Sequence, residues 1–132
     1  MDSGSLTWIM VCTALVLFMT PGLALFYGGL TRTKSTLNMM MMSLWCVLVV
    51  PLLWAVVGYS LAFRSSGPLL GDLSAFGLKG ISAFEDVGVP ELAFVAFLGT
   101  FAAITPALIS GAVADRMKFS AWAIFVPVWS LL

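Results

Sequence analysis

Three long stretches without a charged residue constrain this chain more than any other feature of its sequence. Residues 3–31 and 35–63 are uncharged runs of 29 residues each, and residues 92–114 form a third run of 23. About 20 apolar residues cross the hydrocarbon core of a bilayer as a helix. The sequence therefore predicts an all-α membrane protein, a polytopic helix bundle with spans at about residues 6–30, 37–62 and 92–114.

The composition excludes several functional classes. Only 9% of the residues are charged and 61% are hydrophobic, whereas a soluble domain carries about 25% charged residues. This excludes a soluble enzyme, a disordered segment and a nucleic-acid binder, which needs clustered Lys and Arg. The chain has no His, and it shows no phosphate loop, carboxylate pair or zinc-ligand spacing. We therefore expect no enzymatic activity, no catalytic residue, no cofactor, no metal site and no nucleic-acid partner.

The final apolar run, residues 119–132, holds 14 residues and is too short to span a bilayer. We interpret it as the beginning of a fourth span that is cut short. On this interpretation residues 1–132 are a single transmembrane domain fragment, the amino-terminal part of a longer protein.

The positions of the basic residues predict the orientation. The short connections at 31–36 and 115–118 hold four of the six Lys and Arg residues, whereas the connection at 63–91 holds two basic and four acidic residues. Basic loops face the cytoplasm. We expect a multi-pass protein of the cell membrane with its N-terminus and the 63–91 connection outside.

The third apolar run has two distinct faces on a helical wheel. Small residues recur every fourth position and would let another helix approach closely; they are Gly99, Ala103, Ala107 and Gly111. Bulky apolar residues occupy a different face; they are Phe97, Phe101, Ile104 and Leu108. The bulky face either contacts lipid or the bundle core, or lines a narrow apolar pore in which two Phe rings act as a gate.

Several segments, in order along the chain, resemble the ammonium transporters of the Amt/Mep/Rh type. Residues 14–30 read ALVLFMTPGLALFYGGL, residues 58–63 read GYSLAF, residues 97–105 read FLGTFAAIT and residues 110–116 read SGAVADR. The resemblance extends from about Trp8 to the last residue. One departure is Asp115, which stands where many members have Glu.

The resemblance implies a fold of about 11 spans, of which this chain would supply the first three and part of the fourth. It implies that Phe101 is the inner ring of a paired Phe gate and Phe97 the neighbouring ring at the outer mouth. Ile104 and Leu108 would line the apolar conduit below. Tyr27 and Ser60 match family motif positions without an assigned role.

The implied activity is transport of ammonium, with methylammonium as an analogue. Ammonium would be recruited outside, lose its proton and cross as ammonia. The resemblance also implies a homotrimer and a PII-type regulatory protein at the cytoplasmic face. The family's pore histidines and outer-site Trp lie on later helices, so this chain would not form a conduit alone. Two alternatives remain: an ammonium sensor of the same family, and an accessory membrane helix bundle that transports nothing.

Overall fold

The computed structural model describes residues 2–64, 67–68, 70–83 and 88–132, and in these ranges the regular structure is helical apart from an isolated bridge residue at Gly71. Two acidic residues of the predicted outer connection, Glu85 and Asp86, lie outside the described residues. The α-helices are α1 (Ser3–Leu30), α2 (Thr36–Leu53), α3 (Tyr59–Phe63), α4 (Glu91–Ile109) and α5 (Phe119–Leu131).

The three long spans are confirmed by helices of sufficient length and apolarity. The helical segments Ser3–Leu30, Thr33–Phe63 and Glu91–Val113 have 28, 31 and 23 residues, with mean hydropathies of 2.2, 2.3 and 2.1. At about 1.5 Å per residue each is long enough to cross the hydrocarbon core. The shorter α5 has 13 residues, in agreement with the expectation that the last run alone is too short.

The second span is not a uniform α-helix. A π-helical segment, Trp54–Gly58, joins α2 to α3, and within it the Tyr59 N–H bonds to the Trp54 carbonyl five residues back. Pro51 lies in the last turn of α2. Proline lacks the N–H that would bond to the Val47 carbonyl, so one bond of the helical ladder is missing in the turn before Pro51. The π segment is a feature that the apolar run alone does not predict.

Local caps explain where the helices begin. The Asp2 carboxylate accepts a hydrogen bond from the Gly4 N–H at 3.1 Å and caps α1. Pro90 precedes α4 and Glu91 lies in its first turn, where a negative charge is favoured by the helix dipole.

The first three spans pack against one another, and α5 packs mainly against α2. The Trp122 indole of α5 is fully buried and its Nε1–H donates to the Met42 carbonyl at 3.0 Å. The buried core contains Met39, Met42, Cys46, Val50, Ala103, Ala107, Trp122 and Val126. Residues 39–42 are four consecutive methionines, and two of them, Met39 and Met42, therefore fill packing space inside the bundle. Both cysteines, Cys12 and Cys46, are free.

Contacts between chain segments define two ends of the bundle. The Asp2 N–H bonds to the Gly88 carbonyl at 3.1 Å, which places the N-terminus beside the long connection. At the other end the Asn38 amide donates to the Met117 carbonyl at 3.5 Å. The two short basic connections therefore lie together, and the long connection lies at the opposite end with the N-terminus.

Candidate functional site

The two predicted gate residues lie together on α4. The ring centroids of Phe97 and Phe101 are 5.0 Å apart with an interplanar angle of 81°, an edge-to-face pair. Residues four apart lie on one side of a helix, so their rings meet without help from another element. Phe101 is 40% exposed. The described part of the chain therefore leaves one side of this aromatic pair uncovered.

The two predicted pore-lining residues lie in different surroundings. Leu108 is 51% exposed, whereas Ile104 is only 5% exposed. On an ideal helix Ile104 lies about 60° from Phe101, at the edge of the exposed face, while Leu108 lies about 20° from it. Leu108 thus continues the open face below Phe101, and Ile104 is already covered by this chain.

The hydroxyl groups near the Phe pair are occupied within α4. The Thr100 hydroxyl donates to the Phe97 carbonyl at 2.6 Å, and the Thr105 hydroxyl donates to the Phe101 carbonyl at 2.7 Å. Side chains of this type commonly bond to a carbonyl of the preceding turn. Because both hydroxyl groups are bonded to the helix itself, the exposed surface of α4 near the Phe pair is mainly hydrocarbon.

The small residues of the third span face the other helices of the bundle. Ala103 and Ala107 are 1% and 0% exposed. A Cβ atom at Gly99 would lie 3.0 Å from Cδ1 of Trp54, and one at Gly111 would lie 2.9 Å from Cζ of Tyr27. These glycines therefore admit aromatic rings from the second and first spans.

Tyr27 has a specific contact that the sequence did not assign. Its hydroxyl donates to the Leu108 carbonyl at 3.1 Å, and its ring lies against Gly111. The residue therefore joins the end of α1 to the end of α4. Its ring packs over a glycine and its hydroxyl satisfies a carbonyl near a helix terminus.

Ser60 anchors the connection that follows the second span. Its buried hydroxyl donates to the Asp72 carbonyl at 2.6 Å and accepts from the Ala75 N–H at 3.1 Å. A Cβ atom at Gly71 would lie 2.5 Å from the Ser60 carbonyl oxygen, so glycine permits the close return of the chain. In the described residues Ser60 thus holds the long connection between the second and third spans.

A polar cluster lies at the end of the bundle that holds the N-terminus, and the sequence patterns did not predict it. The Tyr59 hydroxyl donates to Oε1 of Glu91 at 2.6 Å, and the Arg64 guanidinium contacts the same oxygen at 2.9 Å. The sequence contains one signal for the cluster, because opposite charges stand where the second span ends and the third begins. The cluster joins these two spans at that end.

The carboxylate of Asp72 is stabilised by its local turn. Hydrogen bonds from the Ser74 hydroxyl and then from the Ser74 backbone N–H lower the pKa of Asp72. The backbone bond measures 3.0 Å. Asp72 is thus an acceptor that helps to form the long connection between the second and third spans.

Among the residues that the structure describes, no group of three or more His, Cys, Asp or Glu side chains could hold a metal ion. The chemistry that the site offers is therefore that of an apolar surface with two aromatic faces. Such a surface binds cations weakly through the ring quadrupole and resists entry of hydrated ions.

Comparisons with known proteins agree on one family. The sequence model described as the Ammonium Transporter Family matches residues 7–132. An ammonium transporter of Aquifex aeolicus is 49% identical over 135 residues, which cover 99% of this chain and 32% of that protein. An ammonium transporter of Mycobacterium tuberculosis is 47% identical over 148 residues, which cover 98% of this chain and 31% of that protein.

The crystal structure of Saccharomyces cerevisiae Mep2 matches with a TM-score of 0.84 at 31% sequence identity, and covers 99% of this chain. The matched region is 30% of the Mep2 chain. The chain thus spans about a third of the length of the curated relatives it matches.

Proposed function

The chain belongs to the ammonium transporter family, and we propose that it forms the amino-terminal part of a membrane pore that transports ammonium. The observation that carries the proposal is the Phe97–Phe101 pair, with centroids 5.0 Å apart on the uncovered side of α4. The matched relatives are about three times as long as this chain. Their additional residues would supply the rest of the wall around this face.

The physical chemistry of the face favours ammonia over hydrated cations. An aromatic face attracts a cation by about 0.5–2 kcal/mol, which is far less than the cost of removing a full charge from water. Ammonium would therefore be recruited beside Phe97, release one proton and pass Phe101 as neutral ammonia, with the proton carried separately. Potassium has no proton to release, so the same apolar constriction excludes it.

Below the Phe pair, Leu108 continues the exposed apolar face, and it is a stronger candidate for the conduit wall than Ile104. Ile104 would contribute at the edge of that face, since its side chain is 5% exposed. The stripe of Gly99, Ala103, Ala107 and Gly111 serves helix packing in this proposal.

We propose a multi-pass location in the cell membrane with the N-terminus outside. The support is the arrangement of charges: the two short connections at one end carry Arg32, Lys34, Arg116 and Lys118, and basic connections face the cytoplasm. Phe97 lies close to the opposite end of α4, which would be the outer mouth.

The expected homotrimer and the PII-type protein at the cytoplasmic connections rest on the family resemblance. The resemblance also supports methylammonium as a transported analogue. We propose span boundaries at residues 6–30, 37–62, 92–114 and 119–132, supported by the helical segments Ser3–Leu30, Thr33–Phe63, Glu91–Val113 and Phe119–Leu131.

The proposal is tested with the full-length protein reconstituted in liposomes. A jump in external ammonium should produce a transient current or an internal pH change, and an equal jump in potassium should produce none. Empty liposomes measure the passive leak of ammonia. A response no larger than that leak contradicts transport and favours a sensor or an accessory bundle.

A further inference from the structure

The indole ring of Trp54 lies between two glycines, one on its own helix and one on α4. A Cβ atom at Gly58 would lie 3.2 Å from Cε3 of the indole, and a Cβ atom at Gly99 would lie 3.0 Å from Cδ1. The indole Nε1–H donates to the Val95 carbonyl at 3.1 Å. The ring is therefore held by close contact with both glycines and by a directed hydrogen bond to α4.

Trp54 also begins the π-helical segment Trp54–Gly58. Segments of this kind are rare and occur often at functional sites. A glycine inside a helix is less stable there than an alanine, and the space opened at Gly58 and Gly99 is filled by the indole. Local helix stability is thus exchanged for one specific contact between the second and third spans.

This contact lies behind the Phe pair. Val95 and Gly99, which touch the indole, flank Phe97 by two residues on either side. On an ideal wheel Phe97 lies about 160–200° from both, on the opposite side of the same turns. Because a helix is rigid over two turns, a displacement of its back face by the indole is carried to the rings on its front face.

We propose that Trp54 is a positioning residue that determines where the rings of Phe97 and Phe101 stand in the pore. The inference rests on the proposed transport function. The indole contacts the backbone of α4 through the Val95 carbonyl. We therefore expect it to act on the rate and selectivity of transport indirectly, through the position of the rings.

Space beside the indole makes the inference testable by substitution. An apolar cavity of about 330 Å³ borders it and is lined in part by Thr13, Leu17, Pro51 and Thr100. A methyl group added at Gly99 can therefore displace the indole into this cavity without unfolding the bundle. Gly99→Ala is the principal variant.

The experiment measures initial rates of ammonium and methylammonium uptake by the full-length protein in liposomes, normalised to folded protein by size-exclusion chromatography. Gly99→Ala should change the ratio of the two rates by about threefold or more. Trp54→Ala removes every indole atom that the new methyl would meet, which are Cδ1, Nε1 and Cγ. Added to Gly99→Ala, it should restore the ratio toward that of Trp54→Ala alone.

Gly22→Ala is the matched control, because no heavy atom within 4 Å would meet its added methyl; it should leave the ratio unchanged. The inference is overturned if Gly99→Ala lowers both rates equally, or if its effect and that of Trp54→Ala simply add. If Phe101→Ala alters the ratio while Gly99→Ala does not, the transport proposal stands and the role of Trp54 falls. If the unmodified protein transports no ammonium, both fall.

Discussion

The hydroxyl group of Tyr27 donates a hydrogen bond to the carbonyl oxygen of Leu108 across 3.1 Å, joining two residues 81 positions apart. Leu108 lies in the last turn of α4, where carbonyl groups lack their regular helical partners. Its own side chain is on the exposed apolar face. Tyr27 therefore fixes the backbone of a residue whose side chain we place in the conduit.

Replacing Tyr27 by Phe should lower thermal stability modestly. The variant keeps the ring against Gly111 and removes only the donor, so we expect a loss of about 0.6 kcal/mol and at most about 1.7. Tyr27→Leu, which also removes the ring, should cost more. Thermal unfolding of the full-length protein in detergent measures both. Equal stabilities for Tyr27→Phe and the unmodified protein would show that the bond contributes nothing.

Replacing Ser60 by Ala should loosen the long connection between the second and third spans. The change leaves the buried Ala75 N–H without its acceptor and the Asp72 carbonyl without its donor, at a cost of about 1–3 kcal/mol. Hydrogen exchange at Ala75 should accelerate. Ser120→Ala, at an exposed position of α5, is the control. Unchanged exchange at Ala75 would show that other contacts hold the connection.

The stability of the long connection between the second and third spans should depend on pH through Asp72. Its pKa in the folded protein lies below the usual value of 3.8. The carboxylate therefore stabilises the turn at every pH above 3.8, and this contribution is lost as the pH falls through the lowered pKa. NMR titration of the Asp72 carboxyl group should give a midpoint below 3.8, and Ser74→Ala should raise it. A midpoint insensitive to Ser74→Ala would contradict the assigned cause.

The Arg64–Glu91 ion pair should contribute little to stability on its own. The two side chains are 37% and 29% exposed, and pairs of this exposure are worth about 0.2–1 kcal/mol. Glu91→Gln removes the charge and keeps an acceptor for the Tyr59 hydroxyl, whereas Glu91→Ala removes both. Thermal unfolding should therefore rank Glu91→Ala below Glu91→Gln. The opposite order would show that the Tyr59 hydrogen bond contributes nothing, and a loss well above about 1 kcal/mol in Glu91→Gln relative to the unmodified protein would contradict the small value of the ion pair.

The sequence was sufficient to predict the spans, because charged residues cannot remain inside the hydrocarbon core and so mark its limits. It also placed Phe97 and Phe101 on one side of a helix, since their spacing is four residues. Four small residues at the same spacing identified the packing face of α4.

Residue spacing and hydropathy do not predict contacts between residues that are distant in sequence. Periodicity predicts that Gly99 admits a neighbour, but it does not say that the neighbour is the Trp54 indole. The π segment Trp54–Gly58 has no signal in the apolar pattern of the second span. The burial of Ile104 depends on where the other spans lie around α4. The residue pattern of α4 alone does not contain that information.

The most direct test of the account is selective ammonium flux through the full-length protein with Phe101→Ala, measured in liposomes beside the unmodified protein. Removing the ring should open the apolar constriction and alter the rate of ammonium uptake or its discrimination against potassium. Phe18→Ala is the matched control, since Phe18 lies on α1 and is 76% exposed; it should change neither. Ammonium flux and selectivity that remain unchanged in Phe101→Ala would contradict the placement of the gate at the Phe97–Phe101 pair.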